Sequence, residues 1–168
     1  NAQLINEKVA SYLKIGDFSG SDELAGAAND AVNQDIPAFV NMALIDTLRS
    51  KGLNIRVMQH KPLMLDVALP EGRGDLLNII NSDLKSIAKN IIWLNLSDNN
   101  LKDQELESLG LMSNLEKLRL EKNPITDNII PLILNLKHLE SINLNETELS
   151  KAGIERLIFF NAIFLLFG

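Results

Sequence analysis

The first residues to ask about chemistry are His60 and His138, the two histidines of a 168-residue chain. Imidazole titrates near neutrality and ligates transition metals, so a histidine is the usual starting point for acid–base or metal work. These two lie far apart in the sequence. His60 is expected in a loop and His138 at the start of a strand, both as solvated surface groups. The chain has no cysteine. That removes disulfides, thiolate zinc sites, a cysteine nucleophile and a Cys-x-x-Cys-His haem attachment. No serine stands in Gly-x-Ser-x-Gly, and Glu71-Gly-Arg-Gly74 lacks the Lys-Ser/Thr of a phosphate loop, so it reads as a turn. The carboxylates Glu105, Glu107, Glu116 and Glu121 are expected on different faces as a solvated surface, not as an acid–base pair. No catalytic residue, metal site or cofactor is therefore assigned.

Composition supports that reading. Hydrophobic residues make up 46% and charged residues 23%, which excludes disordered and collagen-like classes. Sixteen Lys+Arg against 22 Asp+Glu give a net charge of −6 and a pI near 4.9, with no basic run. Nucleic acid is an unsuitable partner for such a surface. The chain opens Asn1-Ala2, with neither a basic nor an apolar leader segment, and these two residues are read as left by cloning on a piece of a longer protein. No apolar stretch reaches the ~20 residues of a membrane span, so direct membrane insertion is not expected.

The elements that position these side chains follow from an internal repeat. Ile91, Leu94, Leu96, Asn99 and Leu101 have the spacing L-x-x-L-x-L-x-x-N-x-L; Leu115, Leu118, Leu120, Asn123 and Ile125 have it again; Leu139, Ile142, Leu144, Thr147 and Leu149 have it a third time. Each set begins 24 positions after the last, and Leu106, Ile130 and Ile154 keep the same step, as do Leu109, Ile133 and Leu157. A short L-x-L strand alternates side chains into a core and out to an open face. Asn99 and Asn123 fall where the chain leaves the strand, and a buried amide there can satisfy backbone groups in both directions. Thr147 takes that structural position third and can satisfy fewer. Residues 103–111, 127–135 and 151–159 carry apolar side chains at three-residue spacing and are expected as helices, with Asp103, Asp127 and Ser150 as caps.

Upstream the period loosens. Leu63, Leu65, Val67 and Leu69 alternate as a strand, residues 75–88 read as a helix, and residues 53–57 as one more strand after Gly52. Asp35-Ile-Pro37 predicts a helix start, with Gly52 as its stop. Residues 3–14 are a further amphipathic helix, and 20–31 are polar and alanine-rich. Residues 3–60 are expected to cap the open end of the core. Residues 61–168 form one atypical repeat, three regular ones and a truncated fourth.

These columns resemble the leucine-rich repeat family. The likeness is specifically to bacterial repeats whose turn and helix start read as in Asn123-Pro-Ile-Thr-Asp127-Asn-Ile-Ile130 and Thr147-Glu-Leu-Ser-Lys-Ala-Gly-Ile154. The expected fold is an α/β solenoid with a short parallel sheet on the concave side, helices on the convex side and an N-terminal helical cap. The arrangement is also similar to the repeat region of bacterial membrane-anchored proteins that carry a c-type cytochrome domain. That second resemblance implies a periplasmic or otherwise extracytoplasmic place, with haem domain and anchor outside these residues.

The concave face is the candidate site. Its outward positions are Trp93, Asn95 and Ser97; Lys117, Arg119 and Glu121; and Ser141, Asn143 and Asn145. Tryptophan beside arginine is a usual ingredient of an interaction hot spot. The expected function is a non-catalytic protein-interaction or scaffold module, its partner another protein or another domain of the same one. The alternative is an accessory domain of an electron-transfer protein. Counting on by the repeat sets a fourth, apolar strand at residues 163–168, whose open edge is expected to be covered by a second copy of the chain or by a downstream segment, the alternative being a tail that folds back on the last helix.

Overall fold

The computed structural model describes residues 36–37 and 40–167. The expected helix over residues 3–14, the polar segment 20–31, which reads as either helix or loop, and the cap assigned to Asp35 lie outside them. The fold is mixed α/β. In chain order come α1 (Met42–Ser50), β1 (Asn54–His60), β2 (Leu63–Ala68), α2 (Asp75–Ile87) and β3 (Ile91–Asn95). A 3₁₀ helix (Asp103–Leu111), β4 (Lys117–Arg119), a 3₁₀ turn (Asp127–Ile129) leading into α3 (Ile130–Asn135), β5 (Ser141–Asn143) and α4 (Lys151–Phe167) follow. The five strands form one sheet in the order β1-β2-β3-β4-β5. All neighbours are parallel except β1 and β2, which form an antiparallel hairpin.

Strand alternation sorts the sheet into rows. Ile55, Val67, Leu94, Leu118 and Ile142 stand side by side across all five strands and face the core. Beneath them pack Leu76, Leu77, Leu84 and Ile87 of α2, Leu106 and Leu109 of the 3₁₀ helix, and Ile130 and Ile133 of α3. Leu65, Ile87, Ile91, Leu106, Leu115 and Leu120 are fully buried, each a side chain whose removal from water is worth roughly 1.5–3 kcal/mol.

Three elements differ from the sequence expectation, each for a local reason. The first helix begins at Met42, not near Asp35, because Asn41 supplies the cap: its Oδ1 accepts from Ala43 N at 3.0 Å. It does end at Gly52, whose φ of +111° lets Gly52 N donate to Arg49 O and Leu53 N to Leu48 O. Residues 103–111 are 3₁₀ throughout. Their apolar positions 106, 109 and 112 recur every three residues, the period of a 3₁₀ helix and not of an α-helix.

The third difference is a correction: the apolar tail is no strand. From Lys151 the chain stays helical to Phe167, so there is no fourth strand edge through which a second copy would pair. Continuous apolar runs do not distinguish strand from buried helix by period, and after Gly153 no glycine or proline interrupts this one. Ser150 caps helix α4 from just ahead of it: its Oγ accepts from Gly153 N at 3.0 Å.

One backbone feature also recurs. Asp98, Lys122 and Glu146, spaced 24 residues apart, each take a left-handed conformation, with φ of 54°, 58° and 55°.

Candidate functional site

On the side of the sheet opposite the core row, two outward rows cross all five strands. One runs Arg56–Asp66–Trp93–Lys117–Ser141 and the other Asn54–Ala68–Asn95–Arg119–Asn143. A third, Ser97–Glu121–Asn145, lies just past the strand ends, where Asp98 N donates to Glu121 O at 3.0 Å and Lys122 N to Asn145 O at 2.9 Å. The nine expected site residues thus share one face. They are not equally open. Arg119 is exposed, and Trp93, Asn95, Lys117, Asn143 and Asn145 are half-buried. Ser97, Glu121 and Ser141 are buried, against the expectation of outward solvent-facing groups. Small side chains between larger neighbours lose their access to water, and Glu121 lies under its own ion pair with Arg119.

Trp93 centres the first row. Lys117 Nζ sits 3.9 Å from its ring centroid and Arg56 Cζ 6.0 Å from it, within the range of cation–π attraction. Arg56 Nη2 also pairs with Asp66 Oδ2 at 3.0 Å. The ring is anchored from one end by a small apolar cluster of Ile36, Met64 and Ile92, so Trp93 both packs and presents a surface. Its buried indole N–H makes no full hydrogen bond, yet lies near enough to the Glu116 carboxylate to favour the ionised form. Burial is the larger influence on Glu116 and, with the Glu140 carboxylate, holds its pKa above the usual glutamate value despite Lys117 and Trp93.

At the hairpin end the face deepens into a groove of about 490 Å³ lined by Arg49, Leu53, Asn54, Ile55, Arg56, Asp66 and Ala68. Arg56 and Asp66 belong to the surface but were not singled out from the sequence. The alternation Leu65-Asp66-Val67 was the available signal, since it already turns Asp66 outward. Arg49 holds the outer strand: its Nε and Nη2 donate to Ile55 O at 3.1 and 2.9 Å.

The framework beneath the face is polar and regular. Asn123 Oδ1 accepts from Asn99 N (3.1 Å) and Leu101 N (2.9 Å), while its Nδ2 donates to Leu96 O (2.9 Å) and Leu120 O (3.0 Å). Asn99 repeats part of this, accepting from Arg73 N at 2.8 Å and donating to Ser97 O at 2.7 Å. Thr147 only donates, to Leu144 O at 2.7 Å. Two further columns escaped the sequence reading. Asp103 is not a cap for its own helix; it accepts from Thr126 N (3.0 Å) and Thr126 Oγ1 (2.6 Å), and Asp127 does the same for Ser150. Asn90 and Asn114, again 24 apart, donate to Leu63 O (2.9 Å) and Lys89 O (2.8 Å).

His60 ends β1, paired with Leu63, instead of lying in a loop, and His138 occupies an exposed turn ahead of β5. Among the described residues no group of three His, Asp or Glu side chains could hold a metal ion. Among them, too, no helix is long and apolar enough to cross a membrane. No protein-family model matches the chain, and neither does any curated protein or solved structure.

Proposed function

We propose that this chain is a non-catalytic protein-binding module, built as a leucine-rich repeat solenoid and binding through the face that carries Trp93. The carrying observation is the unbroken outward row Arg56–Asp66–Trp93–Lys117–Ser141, with cations at both sides of a half-buried tryptophan. Large aromatic and arginine side chains held in place by packing lose little entropy on binding. The solenoid reading is supported by hydrogen bonds that recur at the sequence period: Asp103 to Thr126 and Asp127 to Ser150, Asn99 beside Asn123, Asn90 beside Asn114. Each reaches from one turn of chain to the next, the arrangement a stacked array requires.

The test uses binders selected from an unbiased display library against the wild-type chain. The combined Arg56→Ala and Lys117→Ala variant is expected to weaken most of them about ten-fold or more, the effect of losing hot-spot cations. Glu107→Ala, on the 3₁₀ helix away from the sheet, should leave them unchanged. Equal losses from both variants would remove the basis for assigning the face.

A further inference from the structure

Three consecutive strands end in the same pattern with one departure: Asn95-Leu-Ser97, Arg119-Leu-Glu121, Asn143-Leu-Asn145. In the outer two, the asparagine Oδ1 accepts from the backbone N–H two residues on, Ser97 N at 3.0 Å and Asn145 N at 3.1 Å. That is a side-chain closure of the turn. Arginine has no acceptor, so the middle turn cannot be closed this way. An ion pair stands in its place. Arg119 Nε donates to Glu121 Oε1 at 2.8 Å, and Nη2 reaches the same oxygen.

Both donors therefore go to one oxygen of the carboxylate. The other, Oε2, is buried without a hydrogen-bond partner, on a residue only 7% exposed. An ionised carboxylate accepts about four hydrogen bonds, and a buried acceptor left unmet is costly. The fold does not need that cost, because serine and asparagine hold the same backbone position in the neighbouring turns. A local rule broken in one turn and kept in its neighbours marks a site whose demand lies outside folding. The chain as a whole carries −6, a balance that favours a cationic ligand over an anionic one.

We propose that Glu121 is the anchor of a cation subsite on this face: its Oε2 accepts from a lysine ammonium or arginine guanidinium carried by a bound polypeptide, as the half-exposed Arg119 side chain swings aside. Asn95 and Asn143 flank Arg119 in their row, and Ser97 and Asn145 flank Glu121 in theirs, leaving no competing cation on either side. This deepens the protein-binding reading and rests on it.

The experiment follows backbone amide NMR shifts of the intact chain titrated with hexalysine, its fully acetylated form, and hexaglutamate. Hexalysine is expected to shift Ser97, Glu121 and Asn145, and the acetylated peptide to leave them still. Glu121→Gln should weaken hexalysine about ten-fold, as loss of a charge-assisted hydrogen bond does, while Glu107→Gln, which removes the same charge elsewhere, should barely alter it. Arg119→Gln should tighten binding, because the internal competitor is gone; a structural defect would not produce that gain. Equal weakening by Glu121→Gln and Glu107→Gln, or weakening by Arg119→Gln, overturns the anchor. Hexaglutamate shifting the three residues in place of hexalysine also overturns it, yet leaves the face as a binding surface. The display experiment, which does not involve Glu121, reports separately on the face itself.

Discussion

The two ends of the sheet solve the same problem by different means. From β3 to β5 the strands are three to five residues long, too short to hold themselves, and side chains reach across 22 to 27 residues of sequence to fix the turns between them. At the β1–β2 end the strands are longer and antiparallel, and what fixes them is local: a tight connection, Gly52, and the Arg49 guanidinium on Ile55 O. The first solution depends on a few buried amides shared between neighbours. The second spreads its hydrogen bonds along a ladder, where each loss is small. Failure of one group should therefore matter far more in the first region than in the second.

The largest expected effect tests that contrast. Asn123→Ala strands the Asn99 and Leu101 N–H groups and two carbonyls, and should lower unfolding free energy by about 4 kcal/mol, given the penalty for each unmet buried group. Thr147→Ala loses a single bond to Leu144 O and should cost only about 1 kcal/mol. Urea unfolding of both variants checks the ratio; similar values would erase the difference between a shared amide and a terminal one.

Next comes the seam between the regions. A Cβ on Gly74, at the start of α2, would lie 2.1 Å from the Asn99 backbone oxygen and 3.3 Å from Leu101 Cδ2. A backbone oxygen cannot step aside as a side chain can. Gly74→Ala is expected to cost about 3 kcal/mol, the scale of overpacking, and to shift amide resonances of residues 99–101. If the shifts stay within α2, the two regions are less tightly joined than their packing suggests.

The smallest effect concerns pH. Folded Glu116 holds its proton more tightly than the unfolded chain does, chiefly through burial and then through Glu140. The folded state therefore binds more protons in the window above the usual glutamate range, and stability falls as pH rises through it. Glu140→Gln should shallow that decline and move the Glu116 carboxyl carbon titration downward, measured by NMR. An unmoved titration would leave burial as the whole cause.

How much of this was legible depended on whether a residue's role was set by its own repeat or by a neighbour. The strand positions Leu94, Leu118 and Ile142 and the turn amides Asn99 and Asn123 could be placed because a 24-residue step fixes both inward direction and turn. Asp103 could not, because its partner Thr126 sits 23 residues on and the same residue type is an ordinary helix cap. Asn90 and Asn114 hid for a related reason: the third member of their column is His138, which breaks the visible identity. The hairpin lay where the period fails, and antiparallel pairing leaves no spacing signal. For the tail, apolar side chains at every position erase the difference between periods of 2 and 3.6. The surface residues of the candidate face followed from alternation alone, whereas the unmet oxygen of Glu121 is a matter of geometry that no residue type announces.

The left-handed residues carry a consequence for design. Asp98, Lys122 and Glu146 are exposed and each sits at a φ that glycine or asparagine adopts with little strain. Aspartate tolerates it best of the three; lysine and glutamate have no local side-chain bond to recommend them there. The molecule thus keeps an untapped reserve at the same point of successive turns, three sites wide and worth about a few tenths of a kcal/mol at each. Engineers wishing to thermostabilise the fold have in Lys122 and Glu146 two places for mutations that touch neither the core row nor the tryptophan row.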